Sequence, residues 1–88
     1  MNWTVKVSSK AEGYYKKLNR KTRDRIREKL MELSESKNPL EHKDVKALTG
    51  DLKGFHRLRV GDYRVVFSML KESKIIAIVN LAPRGNVY

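Results

Sequence analysis

The chain is 88 residues long and 40% apolar, enough to close one small core and too short for a second independent one. It contains no cysteine, which excludes disulfides, thiolate catalysis and cysteine-ligated zinc. Twenty lysines and arginines against ten acids give a formal net charge of +10, a surface that attracts polyanions in a salt-dependent way. Solubility alone is the bland alternative, but so large an excess of one sign costs a small domain in self-repulsion. The opening MNWTVKV is neither a signal peptide nor a transit sequence, and no apolar run approaches membrane-spanning length. These features predict one domain over residues 1–88, working in the cytoplasm without membrane contact.

Trp3-Thr4-Val5-Lys6-Val7-Ser8 alternates apolar and polar residues and predicts a half-buried strand. Ser9 followed by Glu12 is a capping-box pattern opening a helix. Ala11, Tyr14, Tyr15 and Leu18 then recur on one helical face, and both tyrosines read as packing. Asn19 and Arg20 interrupt the pattern. A second helix is expected from about residue 21 to 36, capped by Thr22 or Asn19. Its apolar stripe is Ile26, Leu30 and Leu33, with Met31 a further candidate, and Arg23, Arg25, Arg27 and Lys29 lie largely around its other faces. Helices joined so tightly predict an antiparallel pair.

Asn38-Pro39 ends the second helix, and residues 42–54 read as a polar connection that Val45 and Leu48 pin to the core. Two β-rich runs follow, residues 55–60 and 63–70, then a turn over 71–74 and an almost wholly apolar strand over 75–81. Pro83 stops it. The predicted fold class is α+β: an N-terminal strand, a two-helix hairpin, then three antiparallel strands forming one sheet with the helices packed on one face.

Gly61-Asp62 between two β-rich runs fits a two-residue type II′ turn, with glycine supplying the positive φ. The register follows: Val60 faces Tyr63, Arg59 faces Arg64, Leu58 faces Val65, Arg57 faces Val66 and His56 faces Phe67. Alternation then sends His56, Leu58, Val60, Tyr63, Val65, Phe67 and Met69 to the helix side. Arg57, Arg59 and Arg64 share the opposite side with Val66 and Ser68. Like charges facing each other on a sheet cost roughly 0.2–1 kcal/mol per pair, and the hairpin offers no acid on that face. Either an anion sits there, recognised by arginine's planar fork, or the face is a solvated one whose charges spread apart in water. If the 71–74 turn is symmetric, Leu70 pairs with Ile75 and Arg64 with Leu81. Arg84 then emerges beside Arg59 and Arg64, with Tyr88 four residues further on.

The segment from Phe55 through Phe67, FHRLRVGDYRVVF, and the tail Pro83-Arg84-Gly85-Asn86-Val87-Tyr88 resemble the two signature segments of the RelE/ParE toxin superfamily. Ser8-Ser9-Lys10-Ala11 and Leu48-Thr49-Gly50 add to the resemblance, which spans nearly the whole chain. RelE-like members cleave mRNA in the ribosomal A site, whereas ParE-like members poison DNA gyrase and lack the nuclease residues. The tail arginine and tyrosine, with basic residues on both arms of the hairpin, point to the RelE-like branch.

For this chain the resemblance implies a metal-independent endoribonuclease without a cofactor, in which the 2′-OH of RNA attacks the adjacent phosphorus. It implies Arg57, Arg59, Arg64, Arg84 and Tyr88 as catalytic residues and the four arginines as RNA-binding ones; Lys53, nearby but off the motif, is a further RNA-binding candidate. Arginine can stabilise the phosphorane's added charge but is a poor base. Tyr88 is a candidate acid, base or stacking group. Some family members carry lysines where Arg57 and Arg59 stand, and many carry histidine where Pro83 stands, so the proton carriers differ here. A catalytic His42–His56 pair is disfavoured, because hairpin parity sends His56 to the apolar face. No metal-ligand spacing is visible. The basic second helix is either a contact for ribosomal RNA or a solvated amphipathic helix. Implied partners are the ribosome and mRNA, and a RelB-like antitoxin whose complex binds operator DNA. The alternatives are a gyrase-inhibiting ParE-like toxin and a noncatalytic RNA-binding module.

Overall fold

In the computed structural model, which describes residues 2–83, Leu18-Asn19 joins the two helices and Gly61-Asp62 turns a strand hairpin. The elements are β1 (Thr4–Val7), α1 (Ser9–Lys17), α2 (Arg20–Glu35), β2 (Val45–Ala47), β3 (His56–Val60), β4 (Tyr63–Leu70) and β5 (Ile75–Pro83). Single 3-10 turns at Pro39–Glu41 and Gly50–Leu52 flank β2. The fold is α+β, as expected.

The five strands form one sheet in the order β1-β5-β4-β3-β2. β1 runs parallel to β5, and the remaining pairs are antiparallel. The almost wholly apolar character of β5 suits its place between β1 and β4, where no edge is left to solvent. Ala11, Ile26 and Leu33 from the helices join Leu58, Val65, Phe67, Ile76 and Ile78 in one buried cluster, so both helices cover the same sheet face.

Three local expectations are corrected. Helix α1 is capped by Ser8 rather than Ser9: the Ser8 hydroxyl accepts from the Ala11 N–H at 3.2 Å. Ser8 still belongs to the sheet, since its N–H donates to the Ile78 carbonyl at 2.9 Å, and the helix can begin only after it. The segment read as a polar connection supplies a fifth strand, because Val45 pairs with Leu58 and is buried. Arg64 pairs with Ala82 rather than Leu81. The cause is a bulge: Val66 faces Asn80 but Phe67 faces Ile78, leaving Val79 as the extra residue. The Ser8 hydroxyl donates to the Val79 carbonyl at 3.2 Å, satisfying a group that the bulge takes out of the ladder. Of the two candidate caps of α2, Asn19 is the one used, accepting from the Thr22 N–H at 2.8 Å.

Candidate functional site

The β3–β4 hairpin has the register expected from its turn, from Val60 opposite Tyr63 to His56 opposite Phe67. Gly61 has φ +58° and Asp62 does not share the positive φ, as a type II′ turn requires. Leu58, Val60, Val65 and Phe67 are buried against the helices. Arg57, Arg59 and Arg64 therefore alternate onto the opposite face, with Arg59 directly across from Arg64.

The arginines do not stand alone there. Asp44, immediately before β2, accepts the Arg59 N–H through its carbonyl at 2.9 Å, and its carboxylate lies 3.6 Å from the Arg59 guanidinium. The same carboxylate accepts from Lys29 of α2 at 2.8 Å. That hydrogen bond, outweighing burial, holds the Asp44 carboxyl below its ordinary pKa and raises that of Lys29. Arg57 is half-buried and donates to the Asp44 carbonyl at 3.2 Å. Arg64 folds back over the turn and donates to the carbonyls of Tyr63 at 3.1 Å and Gly61 at 3.4 Å.

At the tip of the hairpin these groups border an open cleft of about 520 Å³, lined by Arg25, Lys29, Asp44, Arg59, Gly61, Asp62 and Arg64. Four cations and two acids line it, so its net charge is positive. Arg25 and Lys29 stand one turn apart on α2 and were not among the sequence candidates. Their i, i+4 spacing put them on one face, but only the docked helix tells which face meets the hairpin.

The other candidates separate. Lys53 is exposed and precedes β3 at the end away from the cleft, with the length of β3, about 13 Å, between them. Arg84 and Tyr88 lie outside the described residues. The described chain ends at Pro83, opposite Tyr63 and so beside the Gly61-Asp62 turn. His56 stacks on Phe67 with ring centroids 5.7 Å apart, and its Nδ1 is enclosed without a partner among the described residues. Burial, with a smaller contribution from Lys71, lowers its pKa and keeps it neutral. His42 is engaged elsewhere: Nδ1 accepts from the Asp44 N–H at 3.0 Å, which leaves Nε2 to donate to Glu32 at 2.8 Å. The two histidines thus form no acid–base pair. Tyr14 and Tyr15 pack against the core, and the Tyr15 hydroxyl donates to the Arg23 carbonyl at 3.1 Å. Among the described residues no group of three or more His, Asp or Glu could hold a metal ion, and no helix is long and apolar enough to cross a membrane.

The family described as the ParE toxin of type II toxin–antitoxin systems matches residues 2–88. Among solved structures, the chain resembles the archaeal RelE–RelB complex of Pyrococcus horikoshii OT3 at 34% identity and TM-score 0.78, covering 98% of this chain and 99% of that one. The intact RelBE toxin–antitoxin complex of E. coli matches at 19% identity and TM-score 0.73, covering 96% and 98% of the two chains. The YoeB–YefM complex of Staphylococcus aureus matches at 22% identity and TM-score 0.74, covering 92% and 95%. These last two share the fold. Among curated protein sequences, none matches.

Proposed function

The chain belongs to the ParE toxin family of type II toxin–antitoxin systems, within the RelE/ParE superfamily, and on that premise we propose that it is an mRNA-cleaving toxin of the RelE type. The observation that carries this reading is the cross-strand pair of Arg59 and Arg64 at a positively charged cleft. An opposed pair of like charges costs energy in the free protein, and a phosphate between them reverses the sign of that cost.

In the proposed reaction the ribose 2′-OH attacks the adjacent phosphorus, and the bond to the next 5′-oxygen breaks. A 2′,3′-cyclic phosphate and a 5′-OH result. The hydroxyl proton leaves during attack, and a proton is delivered to the departing 5′-oxygen. Arg59 and Arg64 stabilise the extra charge on the phosphorane, and Arg57 backs Arg59 from the neighbouring position on β3. Arg84 joins them from the tail, and Tyr88 acts on the proton transfers or stacks on a base. Lys53 serves the incoming strand rather than the reacting phosphate. The ribosome presents the mRNA. A RelB-like antitoxin holds the toxin in check, as the complexes of the related proteins suggest, and the pair binds operator DNA.

The test is to add purified protein to a translating extract and map mRNA ends by primer extension. Codon-phased breaks are expected, and Arg64→Ala and Arg84→Ala should each abolish them. The family match to ParE toxins favours a second reading, inhibition of DNA gyrase without catalysis. Intact mRNA together with accumulated gyrase–DNA breaks would establish that reading and end the first.

A further inference from the structure

Of the four cations around the cleft, three are already engaged. Lys29 and Arg59 share the Asp44 carboxylate, at 2.8 and 3.6 Å, and Arg64 is held by the carbonyls of Tyr63 and Gly61. Arg25 differs. It is exposed on α2 and has no acid within ion-pair distance among the described residues. Its guanidinium nonetheless has a defined place, lying against the turn only 3.8–3.9 Å from where a Cβ on Gly61 would stand. A planar cation packed on a glycine turn and lining a cleft is half of a phosphate site.

The cleft also has the dimensions and charge such a site needs. Its volume of about 520 Å³ falls within the roughly 300–1,000 Å³ of small-ligand pockets, room for a nucleotide and not only its phosphate. The acids have different roles. Asp44 is consumed by Lys29 and Arg59, whereas Asp62 sits at the turn without an ion-pair partner among the described residues and limits how much negative charge the cleft accepts. Four cations against two acids still leave the cleft net positive, so it can take the single charge of a backbone phosphodiester.

We propose that the cleft between α2 and the β3–β4 turn binds a second backbone phosphate of the RNA, next to the one being cleaved, with Arg25 as its principal ligand. This rests on the RNA-cleaving reading and extends it from one phosphate to two. Arg59 and Arg64 border both the arginine face and the cleft, so a strand lying across them brings its neighbouring phosphate to Arg25. The two contacts fix the strand's direction and orient the scissile linkage for in-line attack.

The probe is a fluorescein-labelled single-stranded RNA in which every ribose is 2′-O-methylated, so that it binds without being cut. Its affinity is read by anisotropy over a range of salt concentrations. Each phosphate neutralised on a single strand adds about 0.7 to the slope of log affinity against log salt. Arg25→Ala should flatten the slope by about that amount, Arg25→Lys should restore it, and Lys17→Ala on the exposed end of α1 should leave it unchanged. A thermal melt checks that each variant folds. If Arg25→Ala binds like wild type with an unchanged slope, the second phosphate site is wrong while the RNA reading stands. If wild type does not bind the probe at all, the second phosphate site falls, and the RNA-cleaving reading is decided separately by the mRNA ends mapped in the translating extract. Loss of binding to a polyglutamate peptide, with RNA binding intact in Arg25→Ala, would assign the cleft to an acidic protein segment and overturn the proposal.

Discussion

The two faces of the β3–β4 hairpin are made by the same alternating residues, yet they are held by different physics. On the helix side Leu58, Val60, Val65 and Phe67 are removed from water, and their positions follow from burial alone. On the other side Arg57, Arg59 and Arg64 share a face by the same alternation, but Arg57 and Arg59 are arranged by a residue outside the hairpin, Asp44, and Arg64 by the carbonyls of the turn. A buried face is specified by its own residues. A charged face is specified by whatever counter-ions the rest of the chain brings to it.

The sharpest way to separate the two faces is to truncate one residue on each. Phe67 is completely buried, and Phe67→Ala should cost about 3–5 kcal/mol, seen as a large fall in the urea midpoint. Arg59→Ala, on the exposed side, should change stability by no more than about 0.5 kcal/mol, because an ion pair whose arginine is 56% exposed contributes little. RNA affinity should show the reverse order at temperatures where both variants are folded. Equal stability losses for the two would mean that the arginine face is as much a part of the packed structure as the core.

Asp44 is the intermediate case. Its side chain is 12% exposed and accepts from Lys29, and hydrogen bonds to charged groups contribute roughly 1.5–3 kcal/mol. Asp44→Ala should therefore cost about 1.5 kcal/mol, at the low end because Lys29 can turn to water. It should also release Arg59 from the lost carboxylate and leave Arg57 on the Asp44 carbonyl, which a crystal structure or side-chain NMR of the arginines would register. A loss no larger than that of Arg59→Ala would show that Asp44 balances charge without organising the site.

How far the sequence reaches follows from this division. The hairpin register was legible because Gly61-Asp62 dictates a turn type, and the turn type dictates every pair to His56 and Phe67. β5 was legible from its apolar run, but its register with β4 slips by one because of the bulge at Val79, which no local pattern marks. β2 was missed because three residues are too few for periodicity, and its pairing with β3 supplies its structure. The arginine cluster was legible by parity. Its acid, and the two cations from α2, arrive from 13 to 39 residues away in sequence, which only the packing around the hairpin tip can reveal. Lys53 was placed with the arginines by its nearness in sequence, and β3 carries it to the end away from the cleft.

The smallest effect is expected from pH, and it again separates the two faces. His56 on the buried side has its pKa lowered from 6.5, chiefly by burial. Between that lowered value and 6.5 the unfolded chain holds more protons at this position than the folded one, so folding stability falls as pH drops. The contribution is fully present above pH 6.5 and declines below it. Asp44 and Glu32 are lowered from 3.8 and 4.5, each chiefly by a side-chain hydrogen bond, from Lys29 and His42 respectively. Their contributions are present above those values and are lost only as pH falls further, through the folded-state pKa of each. Urea midpoints from pH 7.5 to pH 3 should thus decline in two stages. His56→Leu should remove the upper stage and keep the lower one, and Asp44→Asn should weaken the lower stage and keep the upper. A single decline that neither variant alters would mean that net charge, rather than these two local environments, governs the acid sensitivity of the hairpin.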